Sequence, residues 1–310
     1  MKNIGTCIFL LFMSIGLSAQ IENQKLPRLN GHTFIPLGSL GSPFTNSYFQ
    51  SNLGFASSSS VEFPLLDIGG QTIYGEIGGL LMATLGFSYQ HQIKDWLAFN
   101  INPNMSTRIG TDVTTLLTQG INTVAGIDMQ WVIRLVKNEK QVLSGTINIS
   151  SYNGTFINIY GFVEDVINNI PNPSISSSIP VVNSGIGLKY AHGINDLFGF
   201  HLTGDFNYGE GFARGDAGIN YKFGGSFEVN ISERTKTPLG FVVWFTRSTQ
   251  PENVFNSTDA THFAGLKIAY MGTSDFSLGL EFAYVAIPVA AIDKRMSLLG
   301  VLITTRYFFN

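Results

Sequence analysis

From about residue 50 onward the chain repeats one pattern, stretches of about ten residues in which every second side chain is apolar. That period belongs to a strand with two different faces. Ile127, Met129, Trp131, Ile133 and Leu135 share one face of such a stretch, and Gly126, Asp128, Gln130 and Arg134 share the other. In the same way Leu81, Ala83, Leu85, Phe87 and Tyr89 oppose Thr84, Gly86, Ser88 and Gln90, and Phe276, Leu278, Leu280, Phe282 and Tyr284 oppose Ser277, Gly279 and Glu281. Segments of this kind fall at 51–60, 81–91, 96–104, 126–136, 141–151, 182–192, 198–208, 217–231, 239–248, 261–270, 276–285 and 297–309. The pattern predicts about twelve strands, an even number.

Alternation alone does not separate a soluble sandwich from a membrane barrel, because both present one apolar face. The polar face decides. A solvated sandwich face would be rich in Lys and Glu, whereas here it is made of Gly, Ser, Thr and Asn with isolated charges, a composition suited to a crowded polar interior. Over the 310 residues only 13% are charged, about half the usual share of roughly 25%, while Gly numbers 34 and Phe 25. A helical membrane protein needs about 18 consecutive apolar residues per span. After the first twenty positions the longest apolar run, 282–292, is broken by Pro288. The net charge of -3, with no basic block, leaves no electrostatic footprint for nucleic acid.

Connections between the segments alternate in length. Short links fall near 92–95, 137–140, 193–196, 232–238 and 272–274, and long ones near 62–79, 105–125, 153–181, 209–215, 249–260 and 286–295. Short periplasmic turns alternating with long extracellular loops are the expectation for a closed antiparallel transmembrane β-barrel, with both termini on the periplasmic side. Two of the long loops read as partly helical. Asp112 can cap 113–119, and 153–169 carries Phe156, Ile159, Val163 and Val166, followed by Ile170, at near-helical spacing before Pro171, so short helices are expected over or into one mouth. On the outward parity, Tyr89, Tyr190, Phe198, Tyr270 and Phe276 lie next to short links, the level at which membrane interfaces favour aromatic rings.

The first nineteen residues read as a secretory signal peptide, with Lys2 before an apolar stretch and Ser18, Ala19 and Gln20 where a peptidase could cut. Cys7, the single cysteine, lies inside it, so the mature chain is expected to lack disulfides, thiol nucleophiles and Cys-ligated metal.

At the other end Leu299, Val301, Ile303, Thr305, Tyr307 and Phe309 alternate almost to the last residue. This final aromatic strand resembles the carboxyl-terminal signal of bacterial outer-membrane β-barrels. The resemblance implies residence in the outer membrane, contact with its lipid, and recognition of the last strand by the barrel-assembly machinery. The chain is also similar, more weakly, to the long-chain fatty-acid transporter group, whose amino-terminal segment can plug the lumen. Residues 20–47, with Pro27, Pro36 and Pro43, would then be a periplasmic segment or plug ahead of a barrel at 48–310.

No catalytic, phosphate-binding or metal motif is present in the sequence, and no cofactor is expected. His32, His91, His192, His201 and His262 are scattered, and a lone strand histidine is ordinarily structural. Outer-membrane phospholipases are barrels of similar strand count with a Ser and His on the outer wall. His192 or His262 beside a Ser would be the only opening for such chemistry, and neither lies in the His-x-Ser-Asn-Gly context of that group. An enzyme is not expected. The inward-parity charges are Asp128, Arg134, Lys189, Asp205, Lys222, Glu228, Lys267, Glu281 and Arg306. They read either as cross-strand pairs filling a closed lumen or as the lining of a path for solutes, and their near-balanced signs favour pairing. The expectation is passive transport of a small or hydrophobic solute. The alternative is a scaffold or surface-interaction barrel with a closed, charge-paired lumen, which bulky Trp244 and Phe308 inside would favour.

Overall fold

A strand that is apolar on one face and polar on the other must bury one face and satisfy both backbone edges, and closure into a barrel does both at once. The computed structural model describes residues 26–58, 61–68, 71–77, 80–109, 120–157, 159–212, 217–232, 234–235, 237–249, 259–289 and 294–309. The chain begins with a small hairpin of β1 (Arg28–Leu29) and β2 (His32–Thr33). The barrel strands are β3 (Ser47–Ser58), β6 (Leu81–Lys94), β7 (Leu97–Ile109), β8 (Gly120–Lys137), β9 (Gln141–Ile157), β10 (Ser176–Gly193), β11 (Phe198–Gly209), β12 (Gly218–Asn230), β13 (Leu239–Ser248), β14 (Thr261–Tyr270), β15 (Phe276–Val289) and β16 (Lys294–Phe309). Between β3 and β6 a second hairpin forms from β4 (Val61–Ile68) and β5 (Gln71–Ile77), and a helix α1 (Ile159–Ile167) lies between β9 and β10.

These strands form a closed twelve-stranded barrel in which each pairs antiparallel with its neighbours in sequence. The last strand closes it on the first, from Phe309↔Ser47 to Leu298↔Ser58. The start of β3 and the end of β16 therefore lie together, at the end where the short links are.

The strand count agrees with the alternation, but the strands are longer than it predicts on the long-loop side. β9 runs to Ile157 and β10 starts at Ser176, so the reading of a helix from residue 153 is corrected to α1 alone. Val163, Val166 and Ile167 of α1 are 46%, 49% and 72% exposed, so this apolar face of the helix is not packed against the wall. The long link read at 286–295 is also corrected, because Ala286↔Ser297 and Pro288↔Arg295 extend the ladder and leave only 290–293 between strands. Pro288 is tolerated because β14 pairs no farther along β15 than Ala286, so that stretch has an open edge needing no N–H. The signal peptide and the helix expected at 113–119 lie outside the described residues.

The wall is inverted relative to a soluble protein. Outward positions such as Leu53, Phe55, Ile147, Ile149, Leu202, Phe206, Val243 and Phe245 are exposed, while Gln50, Gln90, Asn100, Lys189, Glu228, Lys267 and Arg306 are buried inside. At the short-link end Tyr89 stacks on Phe309 with centroids 5.8 Å apart, and Trp96 is exposed. Such a ring of amphipathic side chains fits the headgroup level.

Candidate functional site

The lumen is occupied from one end by the chain's own N-terminal segment, residues 26–46. Its hairpin turns at Asn30-Gly31, both with positive φ (50° and 83°), the geometry of a type I′ turn. Asn30 fastens it to the barrel. Its backbone N–H donates to Glu139 O (2.6 Å), and its Nδ2 donates to Gly193 O (3.1 Å) and Ile194 O (2.7 Å). Gly193 and Gly199 face each other across β10 and β11 and form a floor without side chains. A Cβ on Gly193 would stand 2.2 Å from Leu29 O, and one on Gly199 2.4 Å from the His32 ring. Beside this hairpin Arg234 forks onto Asp196, and the guanidinium holds that exposed carboxyl below its ordinary value. Gly31→Val is expected to cost about 1–3 kcal/mol, because a β-branched residue is strained at positive φ, and amide exchange at Asn30 would report the loosened turn.

Beyond the hairpin the segment crosses the lumen and bonds to strands on all sides. Ile35 N–H donates to Glu228 Oε2 (2.7 Å), Lys267 Nζ donates to Pro36 O (2.6 Å), and Asn230 Nδ2 donates to Thr33 O (3.1 Å). Ser144 Oγ donates to Pro43 O (2.6 Å), while Gln90 Nε2 donates to Phe44 O (2.7 Å) and Asn46 O (2.8 Å). The inward face thus supplies the partners that a non-helical, non-sheet backbone requires when buried. Apolar side chains complete the seat. Leu26, Ile35, Leu37 and Leu40 pack with Tyr48, Val242, Trp244 and Phe308, and Leu29, Phe34 and Phe44 pack with Val142 and Ala191. The bulky inward residues Trp244 and Phe308 are therefore part of the seat for this segment.

Toward the long loops the segment stops, and a polar cavity of about 230 Å³ remains, floored by Leu37, Leu40 and Ser42. Its wall is dominated by carboxamides, among them Gln50, Asn52, Gln90, Asn100, Asn102, Asn104, Gln130, Asn148 and Asn207. Five of the nine inward charges line it as well: Asp128, Lys189, Asp205, Lys222 and Arg306. Glu228, Lys267 and Glu281 lie deeper, where the first two hold the segment and Glu281 sits opposite Lys267 in the ladder. Arg134 stands apart, half-buried opposite Ser144 near the β8–β9 link.

Among the described residues no ion pair within 4.0 Å joins any two of these nine groups, although Asp205↔Lys222 and Lys267↔Glu281 are neighbours in register. The near-balanced signs thus meet as cross-strand neighbours, without a contact ion pair among the described residues. Each charge near the cavity is met by a neutral partner where it has one. Lys189 donates to Gln130 Oε1, Tyr152 donates to Asp128, Asn148 donates to Asp205 (3.1 Å), and Arg306 Nε donates to Gln50 Oε1 (2.6 Å) with its guanidinium 4.1 Å over the Tyr48 ring. Carboxamides can donate and accept at once, so they tie charges of both signs without neutralising them. The result is a cavity lined by three cations and two carboxylates.

The Asn-Gly hairpin could have been found in the sequence, since that dipeptide between extended residues is a strong short-range hairpin signal. The carboxamides were visible as members of the polar face, but not as a lining. Among the described residues no cluster of three or more His, Cys, Asp or Glu could hold a metal.

No family model and no curated protein matches the chain. Solved barrels do resemble it in shape. A KdgM porin in complex with oligogalacturonate shares 8% identity over 84% of this chain and 99% of that chain, with a TM-score of 0.42. A Pseudomonas aeruginosa FadL homologue shares 10% over 93% and 99%, with a TM-score of 0.44. An outer-membrane channel from Pseudomonas putida F1 shares 9% over 89% and 100%, with a TM-score of 0.47. The even, closed antiparallel ladder and its apolar exterior around a polar interior are the architecture of a transmembrane β-barrel.

Proposed function

We propose that this barrel passes small polar solutes across the outer membrane, and that residues 26–46 are a plug restricting the path. The observation that carries the reading is the polar cavity directly above the segment, lined by carboxamides and by charges of both signs that, among the described residues, form no contact ion pair. A hydrophobic solute would leave those groups unsatisfied, which is costly in a confined site, so the chemistry supports a small polar solute over the hydrophobic one that the sequence reading also allowed. In this reading the short links face the periplasm, the long loops face outward, and the last strand is the portion offered to the assembly machinery. The signal peptide delivers the chain to that compartment.

The reading is tested by osmotic swelling of liposomes carrying the refolded mature protein, with glycerol, arabinose and glycine as solutes. Faster entry of these solutes when the segment is released, with little entry when it is seated, is expected. A folded barrel that admits none of them even with the segment released would favour the competing reading, a surface-interaction barrel. The exposed apolar residues of α1 give that alternative its one structural support.

A further inference from the structure

On the outward face of the barrel strands, formal charges among residues with described side chains fall only at strand ends. Lys94 stands at the short-link end, and Arg247 and Arg295 at the long-loop end. The two arginines are exposed, and they come together around one histidine. Arg247 on β13 is in register with His262 on β14. Arg295 on β16 reaches across β15, its Nη1 donating to Ala260 O (3.1 Å) just ahead of β14. His262 therefore lies in the field of both guanidiniums. Its ring stacks on Phe245, the next outward residue of β13, with centroids 6.0 Å apart and 27° between planes. Among the described residues no carboxylate pairs with Arg247 or Arg295.

Two like charges gathered on a lipid-facing wall repel each other, and that arrangement is relieved by an anion placed between them. The cluster begins where the apolar belt ends, with Phe245 and Ala264 each two positions toward the membrane along their strands. That depth is the headgroup level, where aromatic rings and long cationic side chains settle. We propose that Arg247, His262 and Arg295 form a binding site for the phosphate of a membrane lipid headgroup on the outer wall at the long-loop end. Guanidinium groups recognise phosphate by two parallel N–H···O bonds. Among the described residues Arg295 donates a hydrogen bond only to Ala260 O, and Arg247 donates none. The acyl chains of the same lipid would lie down the wall over Phe245 and the apolar positions below it. A free phosphate ion uses only the cationic half of this surface, and the adjoining apolar wall is what points to a lipid. The site stands independently of the solute path, because it lies on the opposite face of the wall.

The test uses the full mature chain in a neutral detergent, with native mass spectrometry reading retained lipid A and the same glycolipid stripped of its phosphates. The wild-type protein is expected to retain the phosphorylated form at least tenfold better than the stripped one. The double variant Arg247→Gln/Arg295→Gln is expected to lose that preference, while Lys94→Gln/Lys137→Gln at the other end keeps it. Arg247→Lys/Arg295→Lys should retain part of it, since charge without the planar fork remains. Equal retention of the two glycolipids by the wild type, or an undiminished preference in the double glutamine variant, would overturn the proposal. So would displacement of the lipid by millimolar inorganic phosphate, which would make this an anion site only.

Discussion

Replacing both Gly193 and Gly199 with valine is expected to expel the N-terminal hairpin and turn a closed barrel into a conducting one. The two glycines are cross-strand partners on β10 and β11, and neither has a positive φ, so valine fits their backbone and suits a strand. The barrel ladder is therefore not the target of the substitution. The segment is, because the added Cβ at 193 would meet the backbone of Leu29 at 2.2 Å, a contact that no change of rotamer relieves. At 199 it would meet the ring of His32, which is fully buried beside Phe34. If the hairpin stayed seated, overpacking of this kind would cost about 1–3 kcal/mol. Two such overlaps at the base of the seat displace the hairpin, and the segment beyond it loses the anchorage that Asn30 supplies. Ion conductance should rise from near silence to resolved steps, while heat-modifiable gel mobility stays that of a folded barrel. Retained silence with a displaced hairpin would show that something besides the segment closes the lumen.

A second large effect is expected at Lys267. Its side chain is almost completely buried, its stem crosses Gly279, and its ammonium donates to Pro36 O (2.6 Å) while facing Glu281 across the ladder. Lys267→Met keeps the length of the stem and removes both functions. The lost hydrogen bond from a charged donor costs about 1.5–3 kcal/mol, and Glu281 is left buried without its nearest cation. Adding Glu281→Leu should recover part of the loss, because removing the second charge removes the need to compensate it. Hydrogen exchange at Leu37 and Leu40 should quicken in Lys267→Met, since Pro36 is where that strand of the seat is tied. Unchanged exchange there, with unchanged unfolding in urea, would remove Lys267 from the set of groups that hold the segment.

Much of this architecture is legible in the sequence, and the reason is physical. Lipid outside and polar groups inside impose a two-residue period over the whole membrane span, so Trp131, Leu188 and Phe282 could be placed outside, and Gln130, Lys189 and Glu281 inside, before any coordinates. The period fades where strands leave the membrane, because both faces are then wet. That is why β9 and β10 were read as ending near 151 and starting near 182, short of Ile157 and Ser176. Pro288 looked like a break because a missing N–H usually is one, and only the open edge of β15 there makes it harmless.

The lumen was less legible. Parity finds the inward charges but says nothing about their partners, and their near-balanced signs suggest pairing. The partners are backbone groups of Ile35, Pro36 and Leu37, together with carboxamides such as Gln50, Gln130 and Asn148. A carbonyl carries no residue-type signature, so the seat of the segment cannot be read from composition. Only its turn announces itself, in Asn30-Gly31.

The central claim is that residues 26–46 close a polar lumen that is otherwise open. It is tested most directly by recording single-channel conductance in planar bilayers for the mature protein and for the same chain lacking those residues. Silence or brief flickering from the intact chain, and stable steps after the deletion, are the expected results. Silence from both folded proteins would contradict the account, because it would mean that the barrel is filled by its own wall. Equal steps from both would contradict it as well, since the segment would then not restrict the path.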